Sequence, residues 1–188
     1  MGKIVVTEFV SLDGVFEDPG GSEGTPFGGW TFDYDRGAEG DEFKLEELDE
    51  SEVQLLGRTT YEGFAAAWPE REGAFAEKLN GSLKVVVSTK LTNPSWGPVT
   101  VISDDVPNAL AKLKAESKGS LLVAGSGTLV ASLLADDLVD ELRLMVFPTI
   151  MGRGRRLFPD GIDRVKFSLV EARVVGPDGV QTQVFRRL

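Results

Sequence analysis

The 188-residue sequence predicts one α/β domain with a mainly parallel central sheet flanked by helices and closed by an antiparallel C-terminal hairpin. Three observations predict it. Strand-like and helix-like segments alternate through most of the chain. Two strands run through a glycine turn directly into a helix, at Gly57 and at Gly125. The last two strand-like runs are joined by Gly176-Pro177-Asp178-Gly179, a hairpin signal. No repeat, low-complexity tract or linker interrupts the pattern, so residues 1–188 read as a single domain.

The elements follow in order. Lys3 to Phe9 alternates and is rich in Val and Ile, predicting a first strand that continues through Val10-Ser11-Leu12. Asp13-Gly14, Asp18-Pro19-Gly20-Gly21 and Gly28-Gly29 then crowd turn signals into a long loop, and loops of this length often act as lids. Gly40 to Glu50 carries Phe43, Leu45 and Leu48 among many acids, which predicts a helix with a solvated face. Val53 to Leu56 is a short buried strand that stops at Gly57-Arg58-Thr59-Thr60, with a helix over Tyr61 to Ala67. Leu83 to Ser88 repeats the strand signal, and Pro98 to Ile102 adds a brief strand. Asp104 or Asp105 caps the next helix, Pro107 suits its first turn, and Val106, Leu110 and Leu113 mark its apolar face up to about Gly119. Ser120 to Ala124 is a strand and Leu129 to Ala135 a helix, separated by Gly125-Ser126-Gly127-Thr128. Glu141 to Phe147 is a strand, Pro148 to Arg156 a Gly/Arg loop, and Phe167 to Val175 pairs with Val180 to Arg186. Trp68 and Trp96 are expected to cover the core.

Composition removes several function classes. The hydrophobic runs fall far short of the roughly 20 residues a membrane-spanning helix needs, and the start lacks the regions of a signal peptide, so a cytoplasmic protein without a membrane partner is expected. The chain has neither cysteine nor histidine, so it offers no disulfide and none of the usual zinc, copper or iron–sulfur ligands. Thirty acidic against twenty basic residues give a net charge of −10, which repels nucleic acid and anionic surfaces. Any anionic ligand must therefore be held locally, by backbone N–H groups, helix N-termini and a few arginines.

Gly125, Ser126, Gly127, Thr128 and Leu129 form the strongest local signal. Glycines between strand and helix let backbone approach a phosphate, and the helix N-terminus offers free N–H groups. The same glycines also suit a plain tight turn. Gly57, Arg58, Thr59 and Thr60 make a second unit of the same kind, in which Arg58 offers a planar fork; an ordinary surface arginine and a threonine cap fit equally. Ser88 and Thr89 end a third strand, where ligands of open α/β sheets sit.

The order Ser11-Leu12-Asp13-Gly14, Leu56-Gly57-Arg58-Thr59-Thr60-Tyr61-Glu62, Gly125-Ser126-Gly127-Thr128-Leu129, Phe147-Pro148 to Gly152-x-Gly154 and Leu157-Phe158-Pro159 resembles the dihydrofolate reductase-like superfamily. Within it, the sequence is most similar to the branch typified by the C-terminal reductase domain of bifunctional riboflavin-biosynthesis proteins. The resemblance implies a dihydrofolate reductase-like fold and an NADPH site. Gly57 to Thr60 and Gly125 to Leu129 would lie at the phosphates, Ser88 and Thr89 near the 2′-phosphate, and the loop after Asp13, with Phe16, beside the nicotinamide. It implies hydride transfer to a small-molecule substrate, in the riboflavin pathway a ribosylaminopyrimidine, and a homodimer. Reduction also needs a proton, for which Asp13 and Asp41 are the candidates. Trp30, Tyr34 and Glu17 in the lid, and Arg153 in the basic run Gly152-Arg153-Gly154-Arg155-Arg156, are candidate substrate contacts. A folate reductase proper and a non-catalytic nucleotide-binding module are the alternatives.

Overall fold

The computed structural model describes residues 2–188. In chain order the elements are β1 (Lys3–Ser11), a short 3-10 turn (Trp30–Asp33), α1 (Gly37–Asp49), β2 (Ser51–Gly57), α2 (Arg58–Ala67), α3 (Ala74–Gly81) and β3 (Leu83–Val87). They continue with β4 (Val99–Ile102), α4 (Val106–Glu116), β5 (Ser120–Val123), α5 (Gly127–Ala135), β6 (Glu141–Phe147), β7 (Phe167–Val175) and β8 (Val180–Arg187). The strands lie in the order β4-β3-β2-β5-β1-β6-β8-β7. The pairs β3–β4, β2–β3, β2–β5 and β1–β5 are parallel, whereas β6–β8 and β7–β8 are antiparallel. This is the mainly parallel sheet with an antiparallel C-terminal hairpin that the alternating pattern predicts. No described helix is long and apolar enough to cross a membrane.

The chain folds into two compact units, one comprising residues up to Val6 with Leu45–Asp140, the other Thr7–Lys44 with Glu141–Leu188. The first unit is the parallel half. Its central strands are buried on nearly every residue, as the continuous Val/Leu runs of β2, β3 and β5 require. One core cluster joins Val5, Leu48, Leu56, Tyr61, Leu79, Val86, Trp96 and Leu122, with Trp68 packed against it. Tyr61 is tied in by its hydroxyl, which accepts the Trp96 backbone N–H at 2.8 Å.

The second unit is organised around Phe147. The rings of Phe9, Trp30 and Tyr34 meet it edge-on at 5.6, 5.5 and 5.8 Å, and Met145, Val175 and Val180 complete the cluster. The long loop after Asp13 is held by a buried carboxylate, Asp18, only 1% exposed. It accepts the backbone N–H groups of Glu23 and Thr25 and the Thr25 hydroxyl.

Three local expectations change. Both glycine-turn helices begin earlier than the apolar pattern shows, α2 at Arg58 and α5 at Gly127, because polar first-turn residues carry no hydrophobic period. Helix α3 escapes prediction: it is eight residues long and buries only Ala76 and Leu79. Asp105 precedes α4 but does not cap it, since its φ is +42° and its carboxylate accepts the Asn108 side-chain amide instead.

Candidate functional site

Because β2 and β5 are parallel neighbours, the turns that follow them emerge side by side. The Gly57 N–H donates to the Gly125 carbonyl at 3.2 Å. A Cβ at Gly57 would stand 2.4 Å from Ser126 Oγ and 3.1 Å from both Ser126 Cβ and Ser126 N, so only glycine allows this approach. Gly125 has φ +99°, a conformation that disfavours any side chain. The flanking residues Gly57 and Ser126 are extended, and neither α2 nor α5 has a side-chain cap. The first-turn N–H groups of Arg58, Thr59 and Thr60, and of Gly127, Thr128 and Leu129, are thus left to an external acceptor. Two helix dipoles add partial positive charge at the same place in a protein of net charge −10.

The side chains around these turns are arranged as follows. Arg58 pairs with Glu62 one turn along α2, Nη1 to Oε2 at 2.7 Å, with both groups close to half exposed. Such a surface pair contributes little and yields readily to a stronger anion. Ser88, past the end of β3, accepts the backbone N–H groups of Lys90 and Leu91 at 3.0 Å each, which leaves its hydroxyl hydrogen to donate outward. Thr89 and Thr128 are exposed, whereas the Leu129 side chain is buried in the core. The residues picked out at the three strand ends follow β5, β2 and β3, consecutive strands of the sheet.

In the second unit Asp13 has a different job from the acid expected of it. Its carboxylate accepts the Ser11 hydroxyl at 2.7 Å and the backbone N–H groups of Met151 and Gly152 at 3.0 and 2.8 Å. The Ser11 bond, with the two N–H donors, holds its pKa down to about 2 against the opposing effect of partial burial. Asp13 is therefore ionised at neutral pH and clasps the Gly/Arg loop rather than donating a proton. Asp13→Ala is expected to lower stability by about 1–3 kcal/mol through loss of these charge-assisted bonds, read as a fall in denaturation midpoint. An unchanged midpoint would remove the clasp.

Asp41 lies on the exposed side of α1 and binds Arg36 Nε at 2.7 Å, facing solvent. Trp30 is corrected from substrate contact to core residue: it is 5% exposed, and its indole N–H donates to the Glu17 carbonyl at 2.9 Å. Tyr34 packs on Phe147 and points its hydroxyl at the Pro148 carbonyl, 3.4 Å away. Phe16 is half-buried with the Arg155 guanidinium 5.7 Å above its ring. Glu17 binds Arg155 Nε at 2.6 Å, and Glu23 also holds that guanidinium. Arg155 is thereby spent on structure. Arg153 instead lines a shallow groove of about 290 Å³ with Val15, Gly154, Arg156, Pro159 and Asp160. Val15, Arg156 and Asp160 are groove residues that the sequence did not single out as candidates; for Arg156, a run of three arginines in five residues was the signal.

A parallel sheet whose adjacent strands each end in a glycine turn and an uncapped helix is an α/β architecture suited to anionic ligands. The family is shown by sequence: residues 2–181 match the model of the RibD C-terminal domain, and the chain belongs to that family. Among solved structures it is similar to a candidate riboflavin biosynthesis protein from Shewanella sp. PV-4 (22% identity, TM-score 0.78, covering 100% of this chain and 99% of that one). It is also similar to dihydrofolate reductase from Enterococcus faecalis complexed with NADP(H) and RAB-propyl (17% identity, TM-score 0.62, covering 99% and 96%). A third is the diaminohydroxyphosphoribosylaminopyrimidine deaminase/5-amino-6-(5-phosphoribosylamino)uracil reductase from Thermotoga maritima (16% identity, TM-score 0.67), of which this chain spans 57% while being covered to 100%. These likenesses establish a dihydrofolate reductase-like fold.

Proposed function

We propose that the chain is an NADPH-dependent reductase acting on a small heterocyclic or ribosyl substrate, of the kind that 5-amino-6-(5-phosphoribosylamino)uracil reductases accept. The observation that carries this reading is the pair of uncapped helix starts brought together by the Gly57–Ser126 approach. Membership of the RibD C-terminal domain family supports it, as does the NADP(H) bound by a protein of the same fold. The site fits such a group, because six backbone N–H groups at the two adjacent helix starts lack side-chain caps. When bound, NADPH supplies the hydride.

The chain's own residues then divide the work. The N–H groups of Arg58 to Thr60 and Gly127 to Leu129 hold phosphate oxygens. The Ser88 hydroxyl, with Thr89, meets the 2′-phosphate, and Arg58 exchanges Glu62 for phosphate. Water supplies the proton of reduction, because the chain has no histidine, Asp13 is ionised and Asp41 faces solvent. The missing acid also favours a second reading, a nucleotide-binding module without turnover.

Calorimetric titration with NADPH and NADH tests the first step. A strong preference for NADPH supports the reductase reading, and oxidation of NADPH with pyrimidine or pterin substrates separates it from the module. Binding of neither nucleotide would leave both turns structural. Arg58→Ala is expected to weaken NADPH more than NADH, by roughly tenfold for a lost charge-assisted contact. Equal losses would put Arg58 on the shared pyrophosphate, and no loss would remove it from the site.

A further inference from the structure

Three arginines crowd the loop after β6, and the fold uses the side chain of only one. Arg155 is held by Glu17 and Glu23. Arg153 and Arg156 have no carboxylate partner among the described residues, although the chain carries thirty acidic residues against twenty basic ones. Both instead line the groove of about 290 Å³, together with the buried Val15. The backbone of the same loop adds donors. Asp13 takes the N–H groups of Met151 and Gly152, and Glu17 takes that of Arg155. The N–H groups of Arg153, Gly154 and Arg156 have no acceptor among the described residues. Gly152 and Gly154 have φ +65° and +103° on either side of Arg153, whose φ is not positive. Residues that alternate in this way turn successive N–H groups toward one concave side, the backbone form of an anion site.

We infer that this groove is a second anion site, formed by Arg153, Arg156 and the N–H groups of their loop, and that it takes the phosphate of a small phosphomonoester. A phosphate suits it better than a carboxylate does. Its three oxygens and nearly double charge answer two guanidinium forks and the loop N–H groups, whereas one fork alone satisfies a carboxylate. The net charge of −10 repels long polyanions, so the ligand is small. Asp160 also lines the groove and opposes an anion, so removing its charge must tighten the site. A phosphorylated substrate and a separate phosphorylated effector supply the same chemistry. The groove residues all belong to the second unit, and none belongs to the glycine turns, so the site stands whether or not those turns hold NADPH.

Amide NMR titration of the full chain with inorganic phosphate and with glycerol phosphate, against sodium chloride at equal ionic strength, tests it. The expected result is saturable shifts of the Arg153, Gly154 and Arg156 N–H signals with both phosphates and none with chloride. Arg153→Gln and Arg156→Gln should each raise the Kd roughly tenfold, and Asp160→Asn should lower it roughly threefold. Arg164→Gln, which removes the same charge at an exposed position outside the groove, should leave it unchanged. All four positions are exposed, so circular dichroism should show native folding throughout. Shifts confined to the glycine turns, or matched by chloride, overturn the proposal. So does a Kd indifferent to both arginine variants, or one raised by Asp160→Asn. The cofactor reading fails separately, by the absence of shifts at Arg58 to Thr60 and Gly127 to Leu129 with NADPH. NADPH oxidation with a pyrimidine substrate in phosphorylated and dephosphorylated forms then separates the two sources. A KM raised by Arg153→Gln for the phosphorylated form alone marks a substrate phosphate, and unchanged KM values beside intact phosphate binding mark an effector.

Discussion

Gly57→Ala is expected to weaken NADPH binding at least tenfold, about 1.4 kcal/mol, with a loss of stability of similar size. Gly57 has φ −77° and ψ 159°, a conformation alanine adopts without strain, so the whole effect comes from the added methyl. That methyl would lie 2.4 Å from Ser126 Oγ. The hydroxyl can rotate away, but Ser126 Cβ and N remain at 3.1 Å, and those atoms move only if the second turn moves. Relieving such overpacking costs roughly 1–3 kcal/mol, and it separates the two helix starts that the proposed site needs together. Ser126→Gly in the Gly57→Ala background removes Oγ and Cβ and should recover part of both losses, a coupling that a double-mutant cycle measures. Native binding by Gly57→Ala, at native stability, would mean that the close approach serves only packing.

The parallel part of the fold was readable because a buried strand writes itself as an unbroken apolar run. Leu55, Leu56, Val85, Val86, Leu121, Leu122 and Val123 are all fully or nearly fully buried, as their runs require. The glycine turns were readable for a related reason: a strand that stops at glycine before a threonine-rich helix start leaves few conformational options. Which carboxylate carries which role was not readable. Asp13, Asp18 and Asp41 are chemically alike in sequence, yet one clasps a loop by Met151 and Gly152, one is buried at the heart of another loop, and one faces solvent beside Arg36. Those differences come from partners more than a hundred residues away or from burial, neither of which local pattern encodes. Trp30 illustrates the same point. Its place in a polar, glycine-rich loop made it a candidate substrate contact, but the 3-10 turn it begins swings the ring onto Phe147.

Lys84 offers the other large effect, and it concerns stability rather than binding. The residue sits in β3, 0% exposed, with Nζ donating to the carbonyls of Asn80 and Ser82 at 2.6 and 2.8 Å. The Trp96 ring lies 4.3 Å from that nitrogen, and Gly97 makes room for it, since a Cβ there would come within 2.6 Å. Among the described residues Lys84 has no carboxylate partner. The ring face favours the cation and burial opposes it. Burial wins, lowering the pKa from 10.5 to about 8. Below pH 8 both folded and unfolded chains hold this proton, and the folded state bears the full cost of a buried charge. As pH rises from about 8 towards 10.5, the folded chain releases the proton while the unfolded chain keeps it, so stability should increase. The limit is about 1.4 kcal/mol per pH unit, or ~3 kcal/mol over the window. The neutral amine still has two N–H groups for its two carbonyls, so deprotonation breaks neither bond. Other lysines and tyrosines titrate in the same range, which makes the difference between the native chain and Lys84→Met the quantity to measure, by urea unfolding at intervals from pH 7 to pH 10. A native-minus-variant difference that climbs above pH 8 assigns the effect to this one amine, whereas a flat difference would mean that Lys84 stays charged throughout, balanced by Trp96 and the two carbonyls alone.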